Sequence, residues 1–240
     1  MGKFRIESLL IEARRGPVYR AVDEDSGAPV ALRMFHKGRF APEGHWNRVP
    51  QHTAIGAILE TGKLRGRPYA VMEWMDGPQL SLAGAGLDPQ KVLPPLLDAL
   101  SEAHNRGILH GHLRAHNIHM EERGPVIADY GFRYMDGDDE ADRGFVAALA
   151  PEQIPGLKGS RPASDVYGLG VIAYALLAGR MPFEPGQDMS ALVRAILEET
   201  PPPPPGPAPV VQVVMEMLAK DPHQRISTWN ALDRFRAIRG

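Results

Sequence analysis

The chain has no cysteine among its 240 residues. Disulfide scaffolds, Cys-ligated zinc sites and thiol catalysis are thereby excluded, and the absence fits a reducing compartment such as the cytoplasm. Net charge is nearly absent too: 27 basic against 29 acidic residues leave −2, which argues against a nucleic-acid or membrane-surface protein. No long apolar run occurs. The longest uncharged stretch, Val166 to Gly179, is too short to cross a bilayer and reads as a helix buried in a soluble core. Met1 to Leu10 has neither the apolar core nor the cleavage pattern of a signal peptide. What is present is 43% hydrophobic and 23% charged residues, enough for a sizeable core and close to the globular average. The 25 glycines and 23 prolines predict many turns.

The first third carries short β-prone runs at Phe4–Ile11, Val18–Val22, Val30–Phe35, Ile55–Leu59 and Tyr69–Glu73, separated by turn signals such as Asp25-Ser26-Gly27 and Arg65-Gly66-Arg67-Pro68. Between the third and fourth runs, Gly38 to Gln51 leaves room for a short helix at most, because Pro42, Gly44 and Pro50 interrupt it. From Asp88 the period changes. Asp88 caps a helix with Pro89 at its first position, and Val92, Leu93, Leu96, Leu97 and Leu100 form its apolar stripe. Pro94 and Pro95 predict a kink or a late start, and Gly107 a stop. Short apolar runs follow at 107–110, 118–120 and 126–128, then helices over 164–178, 189–199, 210–219 and 227–238, with Ser164 and Ser227 as caps. The proline-rich tract Pro201–Pro209 reads as a stiff connector between two helices or as a polyproline ligand for an SH3-type partner. Strands first and helices afterwards predict an α+β chain of two lobes, with the boundary near Met75–Leu87.

The segment Ile108–Ile118 reads Ile-Leu-His-Gly-His-Leu-Arg-Ala-His-Asn-Ile, followed by Asp129-Tyr130-Gly131 and Ala150-Pro151-Glu152. This order and spacing resemble the eukaryotic-type Ser/Thr protein kinase signatures H-R-D-L-x-x-x-N, D-F-G and A-P-E. Val30-Ala31-Leu32-Arg33 is similar to the family's V-A-I-K strand, and Met72-Glu73-Trp74-Met75 to its hinge. Asp165-Val166-Tyr167-Gly168-Leu169-Gly170 resembles the start of its buried central helix, and Asp221-Pro222-His223-Gln224-Arg225 the motif whose Arg pairs with the A-P-E Glu, here Glu152. The resemblance implies one bilobal kinase-like domain over 1–240: an antiparallel β-sheet N-lobe with a short or degenerate helix over 1–75, and a larger, mainly helical C-lobe over 76–240. The short activation segment and the proline connector resemble bacterial members.

The resemblance implies ATP and Mg²⁺ as cofactors. Val18 and Ala31 would cover the base, Glu73 and Met75 would present the hinge, His119 would form the floor, Arg33 would meet the phosphates, and Asn117 and Asp129 would hold the metal. His112 stands where the family has its catalytic Asp, and it is counted with Arg114 as a candidate catalytic residue. The departures are several. The base is an imidazole, the phosphate-pairing Arg of H-R-D is Gly111, the β3 Lys is Arg33 with Glu43 as its nearest acidic candidate, the first two loop glycines are Ile11 and Ala13, the supporting Thr is Phe145, and the floor is His119. The segment after Asp129 carries Tyr134 as its hydroxyl residue beside Asp136, Asp138, Asp139, Glu140 and Asp142. The histidines at 104, 110, 112, 116 and 119 diverge in a kinase fold, with His110 turned to the core and His112 to the cleft, so a zinc site is not expected. Taken together these losses predict a pseudokinase: a protein-binding scaffold or allosteric regulator with weak or absent ATP binding. The alternatives are a low-activity, atypical ATP-dependent Ser/Thr kinase and a nucleotide sensor. A protein partner is expected, with no nucleic acid and no membrane insertion.

Overall fold

The computed structural model describes residues 3–12, 16–36, 48–81, 87–130, 143–154, 159–184 and 188–238. The N-lobe is a five-stranded antiparallel sheet of β1 (Phe4–Ile11), β2 (Val18–Asp23), β3 (Pro29–Met34), β4 (Ile58–Leu64) and β5 (Arg67–Glu73), in the order β1-β2-β3-β5-β4. Local chemistry sets its turns. Between β2 and β3, Asp23 Oδ1 accepts the N–H groups of Asp25 at 2.9 Å and Ser26 at 3.2 Å. Between β4 and β5, Arg65 and Gly66 have φ of 49° and 76°, the two left-handed residues of a tight hairpin turn. Val30, Leu32 and Met34 alternate inward from β3 onto Phe4, Ala21 and Val71.

The fourth strand lies later than its apolar residues suggest. Ile55 is buried but stands outside the strand, joined to Ile127 by an isolated parallel bridge, and β4 begins at Ile58. As an edge strand, β4 exposes alternate residues and tolerates Glu60, Thr61 and Lys63, so it shows no apolar run in sequence. The short helix expected between β3 and β4 falls, up to residue 47, outside the described residues.

In the C-lobe, α1 (Pro89–Asn105) starts as its cap predicts, with Asp88 Oδ1 accepting the Gln90 N–H at 2.9 Å. Pro94 and Pro95 remove donors from the helix interior without delaying its start. The fully buried Leu93, Leu96, Leu97 and Leu100 outweigh that loss, since tertiary packing supplies most helical stability. β6 (Ile118–Glu121) and β7 (Gly124–Ile127) form a hairpin beside α1, and the short α2 (Arg143–Ala147) follows.

The central α3 (Pro162–Ala178) is buried continuously from Ser164 to Ala175 and packs on α1, α5 (Ala208–Met217) and α6 (Thr228–Ile238). Ser164 is not its cap. Arg161 holds that position, and Ser164, three residues in, accepts the Arg161 N–H at 3.1 Å while its hydroxyl donates to Glu152 at 2.7 Å. Ser227 does cap α6, accepting the Asn230 N–H at 3.2 Å. The proline tract joins α4 (Met189–Glu198) to α5, and the Tyr174 hydroxyl donates to the Pro202 carbonyl at 3.0 Å. The sheet lobe and the helical lobe together make the bilobal α+β architecture that the sequence resemblance implies. Among the described residues, no helix is long and apolar enough to cross a membrane.

Candidate active site

A cleft of about 580 Å³ opens between the lobes. Val18 on β2, Ala31 and Arg33 on β3, and Leu10 and Ile11 on β1 line its upper side. Glu73 and Met75 line its back, and Arg114, Asn117, His119 and Asp129 its lower side. The candidate binding residues, scattered over more than a hundred positions, thus meet in one place.

The back of the cleft is pinned to the lower lobe. Gly77 donates its N–H to Glu121 Oε1 at 2.9 Å, and its carbonyl accepts from His119 Nδ1 at 3.1 Å. His119 and Glu121 are alternate residues of β6, so one strand face grips both ends of this residue. A Cβ at residue 77 would lie 2.1 Å from the Met120 carbonyl oxygen, so only glycine fits. The Glu73 side chain is occupied by Arg123 at 2.6 Å and the Ala57 N–H at 3.0 Å. Burial pushes its carboxyl up, but these bonds outweigh burial and hold it below its ordinary value.

Arg33 reaches across the cleft: its Nη2 lies 3.4 Å from Asp129 Oδ2. Glu43, the partner considered from sequence, lies outside the described residues. Asp129 has φ of 57°, a left-handed conformation that is uncommon outside glycine and that aims its carboxylate at a place an extended residue would miss. Asn117 ends a 3₁₀ turn, Ala115–Asn117, and is 8% exposed. Its Oδ1 has no hydrogen-bond partner among the described residues, and neither does Arg114 Nε. A buried amide oxygen left open beside a carboxylate is a hard-oxygen pair that fits a divalent cation such as Mg²⁺.

The loop carrying these groups is held from below. The buried Asp165 carboxylate accepts the N–H groups of His110 at 2.9 Å and Gly111 at 2.7 Å, and contacts His104 Nε2 at 2.9 Å. Gln153 Nε2 donates to the Gly111 carbonyl at 2.7 Å and to Ser160 Oγ at 2.9 Å. Arg225 Nη1 and Nη2 clamp Glu152 at 2.7 and 3.0 Å, so the pair read from the sequence forms. Burial raises the Glu152 carboxyl, but the Arg225 and Ser164 bonds bring it net below its ordinary range. Tyr130 is buried edge-on to His110, with centroids 5.3 Å apart, and burial pushes its phenol well above the usual value.

His112 is 8% exposed, and its ring lies 4.2 Å from that of Phe145. Such a ring pair is worth ~0.5–1.5 kcal/mol beyond the area it buries. The other histidines separate as well. His104 meets Thr228 and Asp165, His110 reaches the Ala128 carbonyl, and His116 and His119 line the cleft. His116 and Leu10 carry no site role in the motif reading, although Leu10 directly precedes Ile11 at the end of the first β run. That reading also misses the work of Asp165, whose signal is its place at the head of an otherwise apolar helix. The acidic segment from 131 to 142 and the residues Ala13, Arg14 and Arg15 lie outside the described residues.

Comparison with known proteins agrees with this geometry. The protein kinase domain model matches residues 12–235. The chain is 31% identical to the serine/threonine-protein kinase Pkn1 of Myxococcus xanthus, over 95% of this chain and 37% of that protein. It is 30% identical to the serine/threonine-protein kinase PknA of Mycobacterium tuberculosis, over 93% of this chain and 58% of the relative. It is 28% identical to the serine/threonine-protein kinase PrkC of Bacillus subtilis, over 95% and 39%. The chain therefore spans less than two thirds of the length of these relatives. Their names overturn the expectation of a pseudokinase scaffold, which rested on counting lost catalytic groups. Phosphoryl transfer draws mostly on positioning and charge, so those losses weigh less than the count implied. With its fold, its cleft and these relatives in agreement, the chain belongs to the protein kinase family.

Proposed function

We propose that this domain is an atypical ATP-dependent Ser/Thr protein kinase of low turnover. The observation that carries the reading is the convergence of Arg33, Asp129, Asn117 and Arg114 on one interlobe cleft, with the Asn117 amide oxygen unpartnered among the described residues. In this reading Val18 and Ala31 cover the base, His119 lies under it, and Glu73 and Met75 offer hinge backbone. Arg33 and Arg114 face the phosphates, and Asn117 and Asp129 hold Mg²⁺. Mg²⁺-bound ATP supplies the phosphoryl group and neutralises its charge.

His112 is not assigned the substrate proton, because its ring is turned onto Phe145. A loose phosphoryl-transfer transition state needs alignment and positive charge above all, and two arginines supply the charge. A missing general base lowers the rate by ~10²–10⁴-fold and leaves a slow enzyme. The partner in this reading is a protein substrate bearing Ser or Thr, and the place of action is the cytoplasm, where ATP is abundant.

The test is transfer of radiolabelled γ-phosphate from ATP, with Mg²⁺ or Mn²⁺, to the chain itself and to a mixed Ser/Thr protein substrate. Slow, metal-dependent labelling that disappears in D129A is expected. Labelling no greater than that of D129A overturns the proposal.

A further inference from the structure

We propose that Arg33 is a gate on the metal position: its guanidinium keeps a divalent cation off Asp129 until nucleotide phosphates draw the arginine away. The inference rests on the kinase reading above and adds an order of binding to it.

The two oxygen donors of the metal position are in different states. Asn117 Oδ1 is buried and has no hydrogen-bond partner among the described residues. The Asp129 carboxylate faces Arg33 Nη2 at 3.4 Å. A guanidinium does not lose its proton in proteins, so this charge is permanent. The Arg33 side chain is 11% exposed and that of Asp129 34%, so solvent screens the arginine weakly and the carboxylate only in part. A free dication entering beside it meets repulsion from the arginine and must also share a carboxylate whose charge is already partly matched. Arg114 lines the same cleft and adds a second positive charge.

Phosphate oxygens reverse both effects. They offer the planar guanidinium a bidentate partner, which is the geometry it prefers. Asp129 then turns from the arginine to the metal, next to the waiting Asn117 oxygen. Metal affinity becomes conditional on nucleotide, and a cation alone leaves the site shut.

Mn²⁺ serves as the probe, counted by electron paramagnetic resonance, since the free aquo ion gives a sharp signal that is lost on binding. The wild-type chain, R33M and R33K are titrated with Mn²⁺ alone and with a non-hydrolysable ATP analogue, and melting curves check that each variant folds. R33M should bind Mn²⁺ alone on the order of tenfold or more tighter than wild type, because one permanent charge has gone. R33K, which keeps a charge on a compact head, should stay near wild type. The gain in R33M should vanish in R33M/D129N, which places the ion at Asp129. R33M binding no tighter than wild type, or not at all, overturns the gate, as does a gain that survives D129N. If R33M does not fold, R33Q takes its place under the same criteria. The analogue arm reads the kinase proposal separately: no melting shift with analogue and Mn²⁺ in wild type counts against that reading, while the metal-only comparison still decides the gate.

Discussion

The ring of His112 lies 4.2 Å from the ring of Phe145, tilted by 42°, with both side chains nearly enclosed. These are the positions at which the family resemblance puts a catalytic Asp and the Thr supporting it. The two replacements are therefore one packed unit, in which the aromatic ring occupies the space where a supporting hydroxyl would stand.

A single reversion at this unit should fail. H112D places a carboxylate against Phe145, and burying it unmatched costs more than the ~1–3 kcal/mol of a neutral polar group. Its melting point should fall with no gain in phosphate transfer. H112D/F145T should recover most of that loss and raise transfer on the order of 10²-fold over wild type. Melting curves and labelling rates for the two single variants and the double variant form a cycle that reads the coupling directly.

The Glu152–Arg225 pair should dominate acid sensitivity in the C-lobe. The Arg225 side chain is 0% exposed and that of Glu152 9%, so removing one partner strands the other. R225M should cost ~3–5 kcal/mol in urea unfolding. The folded Glu152 carboxyl lies below its ordinary 4.5, so its stabilisation is complete above that value and is lost as pH falls through the lower folded value. Melting temperature should decline across that acid window in wild type and less steeply in E152Q.

Replacing Gly77 should loosen the lobes. Its Cβ position lies 2.1 Å from the Met120 carbonyl oxygen, so G77A must push the chain off β6 and strain the bonds to His119 and Glu121. Stability should fall by ~1–3 kcal/mol, as for other overpacked contacts. Affinity for an ATP analogue should fall with it. Calorimetric unfolding and analogue titration check both.

Asn117 should matter to the ligand more than to the fold. Its Oδ1 has no partner among the described residues, so N117A breaks no hydrogen bond at that atom. The ligand-free protein should keep its stability within ~1 kcal/mol. The stabilisation by Mg²⁺ and ATP, ~2.7 kcal/mol at a hundred times Kd and read as a rise in melting point, should shrink strongly.

The sequence by itself determined what neighbours decide among themselves. Asp88 and Ser227 cap their helices, Asp23 folds the turn between β2 and β3, and Arg65-Gly66 folds that between β4 and β5, because each needs a few adjacent residues of the right chemistry. The ordered motifs marked the family and the Glu152–Arg225 pair, and they named most of the cleft. Tertiary structure decided what depends on distant surfaces. Arg33 meets Asp129 across 96 residues, His112 packs on Phe145, and Ser164 gives up the cap to bond Glu152. A side chain's rotamer follows the packing and charge around it once the lobes have closed, and no local pattern carries that information. The count of lost catalytic groups fell short for the same reason: it scored residue types one at a time, while the charges that Arg33, Arg114 and Asp129 bring to the cleft are assembled only by the fold.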